Sequence, residues 1–153
     1  MNTDSTTVSM TARDATTTRA RKVFYWATTG LAALAFAGIG TADFMHAPAM
    51  MQGLAHLGYP AYFATILGIW KVLGAVAILA PGLPRAKEWA YAGMFFTLTG
   101  AAVSHASSGD PIGNIAAPLV LLGLVVVSWA LKPARNAVVA TATSATVPER
   151  RVD

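Results

Sequence analysis

Cysteine is missing from all 153 residues of the chain. Its absence excludes disulfides, thiolate metal centres and dithiol redox chemistry, and leaves the redox character of the compartment unread. Charge is scarce as well. Only 12% of residues are Asp, Glu, Lys or Arg, about half the share usual in a soluble domain. There is no phosphate-binding glycine loop, no nucleophile elbow and no paired catalytic carboxylate. A last shortage is directional: the segments His46–Gly58 and Ser104–Asp110 contain neither Lys nor Arg.

Apolar residues make up 55% of the chain, and they arrive in blocks rather than at amphipathic intervals. Residues 1–22 are Thr-rich, polar and without periodicity, ending in the basic cluster Arg19, Arg21 and Lys22; they predict a disordered tail. An apolar block follows from Val23 to Met45. It is long enough for a hydrocarbon core of about 30 Å, and longer than the apolar stretch of a secretory signal, which is about 7–15 residues. Further blocks run from Tyr59 to Ala80, from about Trp89 to Val103 and from about Ile115 to Leu131. Pro48 and the spacing of Met50, Leu54 and Leu57 allow a short helix in the interface, or only a loop, within His46–Gly58. Residues 133–153 read as a second disordered tail. The expectation is an all-α, polytopic membrane protein whose residues 23–132 form a bundle of four transmembrane helices.

Charge placement sets the orientation. With four spans, one side collects Arg13, Arg19, Arg21, Lys22, Arg85, Lys87, Lys132, Arg135, Arg150 and Arg151. Cationic loops stay in the cytoplasm, so both termini are expected there, in the inner membrane of the cell. The net charge of +4 therefore reflects topology anchors, and no nucleic-acid partner is expected. Trp26, Tyr59, Trp89, Tyr91 and Trp129 fall near span ends, where aromatic residues gather.

Lys71 is the remaining cation. It lies about 18 Å below the outer end of its span and about 14 Å above the inner end, too deep for its stem to reach either interface fully. A cation at mid-membrane costs about 3 kcal/mol, so Lys71 is expected to face the bundle, with Gly68 and Gly74 admitting neighbouring helices. Counting rises from a common inner boundary puts Asp43 and Glu88 each about 15 Å away. Either a distortion brings a carboxylate closer, or hydroxyls and carbonyls hold the amine. Such a lysine suits a quinone or other carbonyl ligand, a proton relay, or a polar clamp between helices. His46, His56 and His105 all fall on the outer side, with Asp43, Asp110 and Asn114 near them in depth. Their spacing matches no metal motif, so no metal is expected; a proton or ligand-entry role and a plain solvated rim both remain open. Glu88 begins the third span, where an acid favours the helix dipole. Gly38 and Ala42 form a small-residue pair suited to helix packing.

The stretches LGYPAYFATILGIWKVLGAVAIL and KEWAYAGMFFTLTGAAVSHASSGD together resemble the DoxX-like family of small four-helix bacterial membrane proteins, over about residues 23–132. The resemblance implies that the positions of Lys71, Glu88, Trp89, Tyr91, Ser104 and His105 share a site or a packing core. With His56 and Asp43 these are the candidate ligand or proton residues, and no catalytic residue is assigned. It further implies a link to membrane redox systems that use quinone as electron acceptor, or to oxidative-stress complexes. The chain would then be at most a membrane subunit of an oxidoreductase complex, with a redox protein or a second copy as partner. A small transporter or channel, or a structural membrane partner, are the other readings.

Overall fold

The computed structural model describes residues 4–132, with side chains from Arg19 onward. Those residues form five helices and no strand: α1 (Asp4–Phe44), α2 (Pro48–His56), α3 (Ala61–Leu79), α4 (Pro84–Ser107) and α5 (Ile112–Leu131). The expected C-terminal tail, and the anchors Arg13, Arg135, Arg150 and Arg151 as side chains, lie outside the described residues. The N-terminal segment differs from expectation. α1 runs back through the polar stretch to Asp4, since extending an established helix adds a hydrogen bond per residue without a new nucleation cost.

Three helical segments are long and apolar enough to cross a bilayer, Arg19–Phe44, Ala61–Leu79 and Ile112–Leu131. α4 has the length, about 36 Å, but Arg85, Lys87, Glu88 and its hydroxyl residues make it less apolar. Leu34, Trp70, Phe96 and Val120 point outward at 68–74% exposure. So large an apolar surface requires an apolar surrounding. The core is correspondingly slim, with Ala32, Phe36, Ala75, Ile78, Met94 and Val125 among its buried members.

Two glycines set the tightest crossing. A Cβ on Gly68 would stand 2.6 Å from the Phe44 nitrogen and 2.7 Å from the Gly40 oxygen, and one on Gly40 would stand 2.7 Å from the Lys71 Cβ. α1 and α3 therefore meet almost backbone to backbone, as small residues permit in membranes. Gly38, expected to belong to a packing pair, is exposed with open space around it. Gly74 faces Met94 of α4 at an ordinary 3.5 Å.

α1, α2 and α4 end alike. In each, the second residue past the cap bonds back over five positions: Ala47 N–H to Ala42, Tyr59 N–H to Leu54, Asp110 N–H to His105. This Schellman closure needs a left-handed residue before it, supplied by His46 (φ 51°), Gly58 (φ 81°) and Gly109 (φ 72°). The third turn folds Asp110 back over the last turn of α4.

The crossing generates a prediction. Gly68→Ala should destabilise by about 1–3 kcal/mol through overpacking, whereas Gly38→Ala should be neutral or stabilise by up to about 1 kcal/mol. Thermal melts of both variants in detergent check the pair. Equal melting temperatures would refute the crossing.

Candidate functional site

Lys71 has a carboxylate partner after all. Its Nζ donates to Asp43 Oδ2 at 2.6 Å, and the two side chains are 16% and 4% exposed. The separation of about 15 Å expected from the sequence is corrected by the stagger of the helices. α1 extends well below Val23, and its last residue, Phe44, lies against Gly68. Gly68 is seven residues inside the start of α3 at Ala61, a depth of about 10 Å. α1 therefore stops short of the α3 end, and Asp43 comes level with the tip of the lysine. A carboxylate in a final helical turn meets the negative end of the dipole, so the cation offsets both that field and the loss of water.

The pair forms part of the lining of a cavity of about 570 Å³ between α2, α3 and α4. Its walls are mainly apolar, with Leu54, Leu57, Phe63, Leu67 and Phe96 among them. Polar groups enter at few points. The Tyr59 hydroxyl and Ser104 Oγ are 2.7 Å apart, half-buried and joining the start of α3 to α4. At the rim, Asp110 accepts from His105 Nδ1 at 2.5 Å and from His56 Nε2 at 2.6 Å. Both imidazoles hold the Asp110 carboxyl below the usual carboxylate range, His105 contributing most. His46, the third histidine, turns aside to Thr65 at 3.1 Å. A second cavity of about 450 Å³ continues along the seam between α3 and α4, and shares Leu67, Lys71 and Thr97 with the first. Lys71 thus stands where the two meet.

The structure divides the residues singled out from the sequence between two ends of the bundle. Asp43, Lys71, Ser104 and His105 line the first cavity, with His56 at its rim. Glu88 and Tyr91 lie at the opposite end. The Tyr91 hydroxyl is 2.8 Å from Ser128 Oγ, which is 2.6 Å from Thr29 Oγ1. All three residues are buried, so this triad satisfies its own polar atoms inside packed helices. Glu88 pairs with Lys132 and accepts from Trp129 Nε1 at 2.9 Å, tying the start of α4 to the end of α5. The sequence groups Asp110 with the outer histidines by depth alone and Tyr59 with the interface aromatics, and singles out neither as a cavity residue. The signal for Asp110 was its place after Ser-Ser-Gly, since a glycine past a helix end folds the next residue back. For Tyr59, no local signal separates a membrane-interface tyrosine from a cavity-lining one.

Among the described residues no three His, Asp or Glu side chains are disposed to hold a metal ion. The model of the DoxX-like family matches residues 27–128, two-thirds of the chain. No curated protein and no solved structure matches it.

Two predictions arise from these contacts. Lys71→Met and Asp43→Asn should each destabilise by about 3–5 kcal/mol, by leaving one buried charge or polar group unpaired. The double variant should recover most of that loss; additive melts would mean the two side chains do not interact. Asp110 sets a pH dependence. Its folded pKa lies below the unfolded value, so its stabilisation is present above the ordinary carboxylate range and is lost as pH falls through the lowered value. Asp110→Asn should flatten the acid limb of a melting-temperature profile. An unchanged limb would refute the rim assignment.

Proposed function

The chain belongs to the DoxX-like family, and on that premise we propose a four-span inner-membrane protein that binds a quinone-class ligand as accessory subunit of a membrane redox system. The crossing spans are α1, α3, α4 and α5, with both termini in the cytoplasm. α4 is counted among them despite its polarity because it links the two ends of the bundle. Glu88 near its start is bonded to the foot of α5, while His105 near its end shares Asp110 with α2. If α3 and α5 cross, the helix between them crosses too. The Arg19, Arg21, Lys22, Lys87 and Lys132 end is the cationic one, which supports its placement in the cytoplasm.

The observation that carries the ligand reading is the Lys71–Asp43 pair in a cavity of about 570 Å³ with apolar walls. That volume falls within the range of small-molecule sites, where a few polar groups orient an otherwise apolar ligand. A structural clamp alone would not need the space. The lining fits a quinone head: Lys71 Nζ and the Tyr59 and Ser104 hydroxyls can donate to its carbonyl oxygens, with Leu54, Phe63 and Phe96 beside the ring. The second cavity gives an apolar course for a side chain running from Lys71 toward Trp89. A quinone takes up two electrons and two protons on reduction, the electrons coming here from a partner protein. His56, Asp110 and His105 at the mouth can exchange protons with water. The bilayer and that redox protein are the proposed partners, and self-association is compatible with the site.

Addition of a ubiquinone or menaquinone analogue should raise the melting temperature of the purified protein by several degrees. The charge-neutral double variant Asp43→Asn/Lys71→Met keeps the helices packed and should lose that response. If quinone has no effect on the unmodified protein, the pair is a clamp and the function is structural. Uptake of a solute by proteoliposomes, abolished in the same variant, would instead establish a transporter.

A further inference from the structure

The opposite end of the bundle carries a separate cavity of about 530 Å³, enclosed by α1, the α3–α4 turn and the foot of α5. Three lysines line it, Lys22, Lys87 and Lys132, against one carboxylate, Glu88. The charges are not all engaged. Lys132 pairs with Glu88. Arg21, beside the cavity, directs Nη2 to the Ala130 carbonyl at 3.5 Å, where a cation suits the end of α5. Among the described residues, Lys22 and Lys87 have no carboxylate partner; Lys87 sits 6.0 Å over the Trp26 ring. Burial, and next to it the nearness of Lys87, pushes the Lys132 pKa below the usual lysine value. The first turn of α4 also opens onto the space with no side chain capping it. Trp26, Leu83 and Pro84 complete the wall, giving a cationic mouth over an apolar ledge at the depth of the tryptophan belt.

We propose that this cavity is a binding site for the phosphate of an anionic phospholipid drawn from the adjoining leaflet. Lys22 and Lys87 hold the non-bridging phosphate oxygens, and Trp26, Leu83 and Pro84 support the glycerol and the first acyl carbons. Basic pockets between membrane helices take lipid headgroups in this way. The lipid would supply the charge missing around three lysines and fasten α1 to the α3–α4 turn. This site shares no lining residue with the quinone cavity, so the two readings stand or fall separately.

The full chain in zwitterionic detergent should retain phosphatidylglycerol in native mass spectrometry and melt at a higher temperature with it. Phosphatidylcholine at equal concentration should do neither, and inorganic phosphate should not substitute. Lys22→Gln should weaken phosphatidylglycerol binding about fivefold, and Lys22→Gln/Lys87→Gln roughly 25-fold, with helix content by circular dichroism unchanged. Lys22 is exposed, so the single variant tests the site even should the pair fold poorly. Three results would overturn the proposal: equal retention of phosphatidylcholine, equal protection by inorganic phosphate (a soluble anion being the occupant), or undiminished binding by Lys22→Gln.

Discussion

Two opposite charges 2.6 Å apart, Lys71 on α3 and Asp43 at the close of α1, impose most of what is distinctive in this bundle. In an apolar surrounding each would be costly alone, and the penalty of stranding one exceeds what any single apolar contact in the core returns. Their meeting requires α1 to stop beside Gly68, which requires the backbones to touch at Gly40 and Gly68. Because α1 stops early, the chain must recover height outside the bundle. The Schellman turn at His46 and the short helix α2 do so. The space roofed by α2 above the ion pair is the cavity. One electrostatic constraint thus leads to a helix crossing, a turn with a left-handed histidine, an added helix and a void.

The two ends handle polarity differently. Near the cationic end, Thr29, Ser128 and Tyr91 close on one another and are buried, while Glu88 is committed to Trp129 and Lys132. Such satisfied groups hold helices in register and leave no donor for a ligand. Around the α2 end, polar atoms are spread thinly over apolar walls, and the contacts at the rim bridge separate elements: His56 on α2 meets Asp110 on the α4–α5 turn. α2 has no buried residue. Buried polar groups close on one another at the first end, and at the second they are spread around a cavity.

The helices were legible because lipid imposes a simple rule: apolar blocks of about 20 residues separated by breaks at His46–Gly58, Pro81–Pro84 and Ser104–Asp110. The place of Lys71 inside an apolar block, and its need for a partner, were equally plain. Its partner was not. Rises counted from a common boundary assume flush helices, and the stagger of α1 against α3 is a tertiary fact carried by Gly40 and Gly68. Neither glycine announces which neighbour it will touch; Gly38 looked equally suited and faces outward. Glu88 and Tyr91 share a helix with Ser104 and His105 but lie several turns away, at the far end of α4, where they bond to α5. Residues of one motif on one helix need not belong to one site.

A helix of 24 residues that carries Glu88 and Tyr91 at one end and Ser104 and His105 at the other cannot be positioned by apolar contact alone, because lipid competes equally for its apolar face. Its polar residues act as fasteners at both ends, to α5 through Glu88 and Tyr91 and to α2 and α3 through His105 and Ser104. This accounts for the low apolarity of α4: its polar groups are matched by partners on neighbouring elements. At the α2 end the same fastening leaves a cavity of about 570 Å³. Fastening there runs through side chains that span a gap, whereas at the foot of the bundle Tyr91, Ser128 and Thr29 fill the space between the helices they join.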